Sequence, residues 1–239
     1  MVLLGDAGAS SPPVEAFLSE AIQRRVDGVV AAAVNVPDEK LQPLTDANIP
    51  VVTIGTPRHG TFTDVVSAND ERIAADAVAY LAERGHRRIA TITGPTETAP
   101  GSTRLVGYRN ALGAAGLPYA PALECLGDWT RDSGAKAMAR LLDAEEPPTA
   151  VFCANDMMAI GALHTLRARG IDVPSDIALV GVDDIESAAL VQPALTTIAI
   201  PAQEIGRVAG EQLLTRLDGD RGPGRHTLVQ HCLVIREST

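Results

Sequence analysis

Short apolar runs and amphipathic stripes alternate along this chain with little interruption. Runs at residues 2–4, 28–33, 50–54, 88–92, 122–126, 150–154 and 177–182 have the length of strands. Helical patterns occupy residues 14–25, 38–47, 70–84, 103–115 and 132–142, and another runs on from Asn155. The 70–84 segment is the clearest: Ile73, Ala74, Ala77, Val78 and Leu81 form one apolar stripe, and Gly85 stops it. Strands apolar on both faces and alternating with helices predict parallel sheets covered by helices, an α/β fold. Near the end the order changes. A helix carrying Ile205, Val208, Ala209, Leu213 and Leu217 meets a turn-rich break at residues 219–224, and a last strand is predicted over residues 227–235.

Two of the strands stop abruptly in polar side chains: 150–154 runs into Asn155, and 177–182 into Asp183 and Asp184. In open α/β sheets ligands bind at the carboxyl ends of strands, so Asn155 and Asp183 read as residues aimed at a small polar ligand. Each also has a local reading. Asn155 suits a helix N-cap, and of two adjacent aspartates on a strand, pointing to opposite faces, one is solvated or capping. Trp129 is the sole tryptophan, and its polar neighbours Asp128, Thr130, Arg131 and Asp132 argue for a partly exposed ring, although a lone tryptophan also suits a core. Arg104 follows Gly94-Pro95; a surface position is ordinary for arginine, while its forked guanidinium fits vicinal hydroxyls or a carboxylate.

Composition narrows the class. The 239 residues suffice for one large domain or two lobes. Hydrophobic residues make up 46%, yet no apolar stretch approaches the ~20 residues that cross a bilayer. The 20 basic against 30 acidic side chains give a net charge of −10, which argues against this chain itself gripping a phosphate backbone. Three scattered cysteines, Cys125, Cys153 and Cys232, make no disulfide framework; all sit in apolar runs as expected buried thiols, consistent with a reducing cytoplasm. Gly-x-Ser-x-Gly, Walker-type, Gly-x-Gly-x-x-Gly and His-Glu-x-x-His motifs are absent, so no enzyme activity and no cofactor are expected. His226, His231 and Cys232 fall on opposite faces of the predicted last strand, which argues against a metal site.

Several segments, taken in order, resemble the effector-binding core of lactose-repressor-like (LacI/GalR) transcriptional regulators. They include Gly85-His86-Arg87-Arg88-Ile89-Ala90, Arg104-Leu105-Val106-Gly107-Tyr108, Asn155-Asp156-Met157-Met158-Ala159, Gly181-Val182-Asp183-Asp184 and the ending Leu233-Val234-Ile235-Arg236-Glu237-Ser238-Thr239. The resemblance implies a periplasmic-binding-protein-like type I fold of two lobes joined by three crossovers, with a sugar-like molecule held between them. It places residues 1–68 plus 200–223 in an N-terminal lobe and 69–199 plus 224–239 in a C-terminal lobe. It also implies ligand-binding roles for Arg104, Trp129, Asn155 and Asp183, with Trp129 stacking on a sugar face, and a cytoplasmic homodimer.

The front end departs from that family. The helix-turn-helix headpiece, the hinge, and the first strand and helix of the N-terminal lobe have no counterpart, which leaves that lobe incomplete. The chain is therefore read as a fragment, a truncated product or the result of a misplaced start, unable to bind an operator unaided. Ala32 and Gly55 stand where some family members supply polar contacts, so Asn35, Arg58 or His59 are the alternatives from that lobe. A periplasmic sugar-binding protein of a transport system shares the fold and is the alternative function.

Overall fold

The structure is a computed structural model that describes residues 14–32, 38–55 and 63–239. The strand expected at residues 2–4 lies outside them, as do Asn35, Arg58 and His59. In chain order the elements are α1 (Val14–Gln23), β1 (Val29–Ala32), α2 (Asp38–Asp46), β2 (Val51–Ile54), β3 (Asp64–Ser67), α3 (Asp70–Glu83) and β4 (Ile89–Thr93). There follow α4 (Ala99–Ala114), β5 (Glu124–Leu126), α5 (Arg131–Leu142), β6 (Ala150–Cys153), α6 (Asp156–Ala168) and β7 (Ala178–Asp183). The last are α7 (Glu186–Leu190), β8 (Thr196–Ala199), α8 (Ala202–Leu217), β9 (His226–Leu228) and β10 (Cys232–Val234). No helix among the described residues is long and apolar enough to cross a membrane.

The chain divides into two compact units. In the first, which runs up to Ser67 and takes in Ala202–Val229, the described strands form a parallel sheet in the order β1-β2-β3-β9. Leu18, Leu41, Leu44, Ile49 and Val51 fill part of its core. The second, Ala68–Pro201 with Gln230–Thr239, has a six-stranded sheet in the order β10-β8-β7-β6-β4-β5. All its neighbours are parallel except β10, which runs antiparallel to β8.

The last strand expected from the sequence is in fact two strands in two units. β9 pairs with β3, matching Val66 to Thr227, and β10 pairs with β8, matching Leu233 to Ile198. Residues 224–229 thus belong with the first unit, whereas the sequence reading assigned them to the second. Only the polar pair Gln230-His231 stands at the point where the ladder partner changes, too small an interruption to separate two strands by pattern alone. Cys232 on β10 is exposed rather than buried; Cys125 and Cys153 are buried as expected.

The second unit's sheet is apolar on both faces, and alternate residues go to opposite sides as strand geometry requires. On β6, Ala150 and Phe152 pack with Ile73, Val78, Leu81, Tyr108 and Leu112 of α3 and α4. Val151 and Cys153 pack with Met138, Leu141, Met158 and Leu166 of α5 and α6. The α5–α6 contact is close because Gly134 faces the Met158 backbone and Gly161 faces the Arg131 carbonyl. A Cβ at 161 would overlap that carbonyl oxygen, so glycine sets how near the two helix starts lie. Those starts carry the loops that hold Trp129 and Asn155. Gly161→Ala is therefore expected to destabilise the protein by about 1–3 kcal/mol. Gly113→Ala, at an exposed helical position with open space around it, should be neutral or stabilising by up to about 1 kcal/mol. Urea denaturation of both variants checks the pair.

Candidate functional site

In the second unit's sheet the chain leaves β4 for β5 on one side, then returns to β6 on the other. Strand order reverses there, and such a point leaves a crevice at the carboxyl ends of the strands. The residues following β4, β5, β6 and β7 share that edge, because these four strands are adjacent and parallel.

Arg104 lies in the second turn of α4 rather than at the helix start expected from the sequence. Thr98 caps four residues earlier than that, its hydroxyl accepting from the Gly101 N–H, and Pro100 suits the first turn. The side chain is buried, 6% exposed, and so is not the ordinary surface arginine. Its Nε donates to Asp70 Oδ1 at 2.8 Å and its Nη1 donates to the Ala154 carbonyl. Asp70 opens α3 behind the Asn69 cap and is itself buried. The Arg104 guanidinium also stands 5.9 Å from the Trp129 ring centre, within reach of a cation–π attraction.

Trp129 is half-buried, with its indole against Gly94 and its backbone in the left-handed region at φ 71°. Asn155 holds it there. The Asn155 Nδ2 donates to the Trp129 carbonyl at 3.1 Å, while Oδ1 accepts from the Met158 N–H at 2.9 Å as the N-cap of α6. The cap read from the sequence is thus present, and the same carboxamide braces the tryptophan loop. One Nδ2 proton is left over, since an amide carries two.

Asp183 and Asp184 separate cleanly. Both are left-handed, at φ 111° and 57°, an arrangement that costs energy in residues other than glycine. Asp184 accepts from Arg236 Nη2 at 2.6 Å. Among the described residues no donor reaches the Asp183 carboxylate. Burial pushes its pKa up to about 6; nearby Arg104 opposes that rise and Asp70 adds to it. One guanidinium therefore faces two carboxylates, leaving an acceptor short of donors.

The four residues singled out from the sequence are brought together. Two further members, Asp70 and Asp156, escaped sequence reasoning. Each is a first-turn acid, which as a sequence feature signals only a favourable helix start. Asp156 is fully buried and accepts from Thr197 Oγ1 at 2.6 Å and from the Ile185 N–H at 3.0 Å. Among the described residues no group of three or more His, Cys, Asp or Glu side chains is placed to hold a metal ion. The arrangement suits a molecule with hydroxyl or amine donors for Asp183 and an apolar face for Trp129.

A carboxyl whose pKa is higher in the folded than in the unfolded chain costs stability only once it ionises. The cost is absent below pH ~4, grows as pH rises toward 6, and is complete above it. Asp183→Asn should therefore stabilise the ligand-free protein by on the order of 1–3 kcal/mol at pH 8 and have little effect at pH 4. Denaturant titrations at the two pH values measure the difference.

Residues 78–239 match the family model described as a periplasmic binding protein-like domain. The HTH-type transcriptional repressor CytR of Escherichia coli (strain K12) is 36% identical over 246 residues, covering 100% of this chain and 70% of that protein. Among solved structures, a transcriptional regulator CelR–cellobiose complex aligns with a TM-score of 0.88 at 37% identity, covering 94% of this chain and 69% of that one. A regulatory protein of the LacI family from Chloroflexus aggregans aligns with a TM-score of 0.87 at 33% identity, covering 93% and 80%. These relatives are regulators of transcription, neither transport proteins nor enzymes, and they carry the periplasmic-binding-protein-like α/β fold expected from the sequence. The chain belongs to the LacI family of transcriptional regulators, of which it comprises the effector-binding core.

Proposed function

We propose that this core senses a sugar-like effector at the carboxyl edge of the second unit's sheet, with Arg104, Trp129, Asn155 and Asp183 as its contacts. The observation that carries the reading is the Asp183 carboxylate, which feels the Arg104 charge and has no donor among the described residues, while the same guanidinium stands over the Trp129 ring. A sugar supplies what the site lacks. Its hydroxyls donate to Asp183, and its C–H face covers the indole. The spare Nδ2 proton of Asn155 and the Nη2 end of Arg104 donate back to ring or hydroxyl oxygens. The cellobiose complex of the CelR structure supports the carbohydrate class.

The effector works by population shift. It moves the protein between two conformations only by its difference in affinity for them. In the intact regulator, a cytoplasmic homodimer, that shift controls operator binding through a DNA-binding headpiece that lies outside this core. The acidic balance of the core fits this division of labour, since contact with phosphates falls to the headpiece.

Because Trp129 is the only tryptophan, intrinsic fluorescence reports on the site directly. A panel of cellobiose, glucose, ribose and nucleosides is expected to yield a carbohydrate that changes this emission saturably and raises the melting temperature. Loss of a charge-assisted hydrogen bond, about 1.5–3 kcal/mol, should weaken that ligand about 10–100-fold in Asp183→Ala. An unchanged affinity removes Asp183 from the site. A nucleoside as the sole binder overturns the carbohydrate class and leaves the site in place.

A further inference from the structure

We propose that Asp156 is the positioning residue of the effector site, holding the 183–185 turn so that the Asp183 carboxylate stands beside Arg104 uncommitted to any protein donor. The proposal rests on the reading of Asp183 as an effector contact, and it assigns the geometry of that contact to a side chain that does not itself meet the effector.

Asp156 is the first residue of α6, directly after the Asn155 cap. An acid in a first turn gains from the helix dipole while remaining in water, and that gain does not explain a side chain with no exposed surface. What the burial achieves is a set of bonds to other elements. Oδ2 accepts the Ile185 N–H at 3.0 Å, and Oδ1 accepts Thr197 Oγ1 of β8 at 2.6 Å. The donors therefore come from the turn just after Asp183 and from the neighbouring strand. Gly181 on β7 makes room, because a Cβ there would overlap Asp156 Oδ1.

The held segment is one that would not adopt this form by itself. Asp183 and Asp184 are consecutive left-handed residues, and only surrounding structure keeps such a pair in place. From the other side Arg236 engages Asp184 Oδ1 and the Leu195 carbonyl. The turn is thus gripped at Asp184 and Ile185, and Asp183 is left to project. Groups that face Asp183 are Arg104 from α4 and Asp70 from α3, and Asp156 from α6 feels its charge. Burial pushes the Asp156 carboxyl up to about 6, opposed by its bonds from Thr197 and the Ile185 amide, with Asp183 adding to the rise. Its carboxylate accepts both bonds, one on each oxygen.

The test compares the wild type with Thr197→Ser, Thr197→Val and Asp156→Asn as ligand-free protein. Three quantities are read: the Asp183 carboxyl titration by carbon NMR, exchange of the Ile185 amide, and the melting temperature. Thr197→Ser keeps the hydroxyl and should match the wild type. Thr197→Val should move the Asp183 midpoint from near 6 toward the ordinary range near 4, and both Thr197→Val and Asp156→Asn should speed Ile185 exchange at least about tenfold. Thr197→Val changes no charge, so it stands alone should Asp156→Asn fail to fold. Lower melting temperatures with the Asp183 midpoint and Ile185 exchange unmoved would make Asp156 a purely structural residue and overturn the proposal. Failure of the effector reading shows elsewhere, as carbohydrates that do not bind a protein in which these shifts are nonetheless seen.

Discussion

The carboxyl edge of the second unit's sheet depends on a buried arginine that is asked to balance two carboxylates. Arg104 leaves water almost entirely, which is tolerable only because Asp70 and the Ala154 carbonyl accept hydrogen bonds from it. In doing so it ties α4 to the start of α3 and to the end of β6. The second carboxylate, Asp183, feels the same guanidinium but receives no hydrogen bond from it. Its raised pKa expresses the shortage: in this surrounding the ionised form is under-stabilised. Binding sites commonly carry such an imbalance, because a group fully satisfied by the protein has nothing left to offer a ligand.

The loops around that edge are built to stay still. α6 begins with two side chains that each hold a neighbouring loop: Asn155 braces the Trp129 carbonyl, and Asp156 grips the turn after Asp183. Close packing of α5 on α6 fixes the distance between the tryptophan loop and those braces. The contacts an effector would use are therefore supported from behind by groups it would not touch. Such preorganisation lowers the entropy lost on binding.

Much of this was legible in the sequence where the signal is local. The strand–helix alternation, the α6 cap at Asn155 and the placing of Asn155 and Asp183 at strand ends follow from short-range patterns, whereas the grouping of Arg104 and Trp129 with them came from the family resemblance. What was hidden depends on distance along the chain. Asp70 and Asp156 look like ordinary first-turn acids, and only the fold reveals their partners 34 and 41 residues away. Asp183 and Asp184 are indistinguishable by type, and they part only because Arg236 claims the second. β3 at Asp64–Ser67 has only two apolar residues between polar ends, and the change of partner between β9 and β10 is marked by no more than the polar pair Gln230-His231.

In the proposed site, Asp183 waits for donors that an effector would bring. Calorimetry at pH 6, in buffers of different ionisation enthalpy and with a carbohydrate that binds the wild type, measures protons exchanged on binding. Because hydroxyl donors favour the ionised carboxylate, binding should release up to about half a proton per effector at pH 6, falling toward zero at pH 8. No proton release at pH 6 would contradict the account.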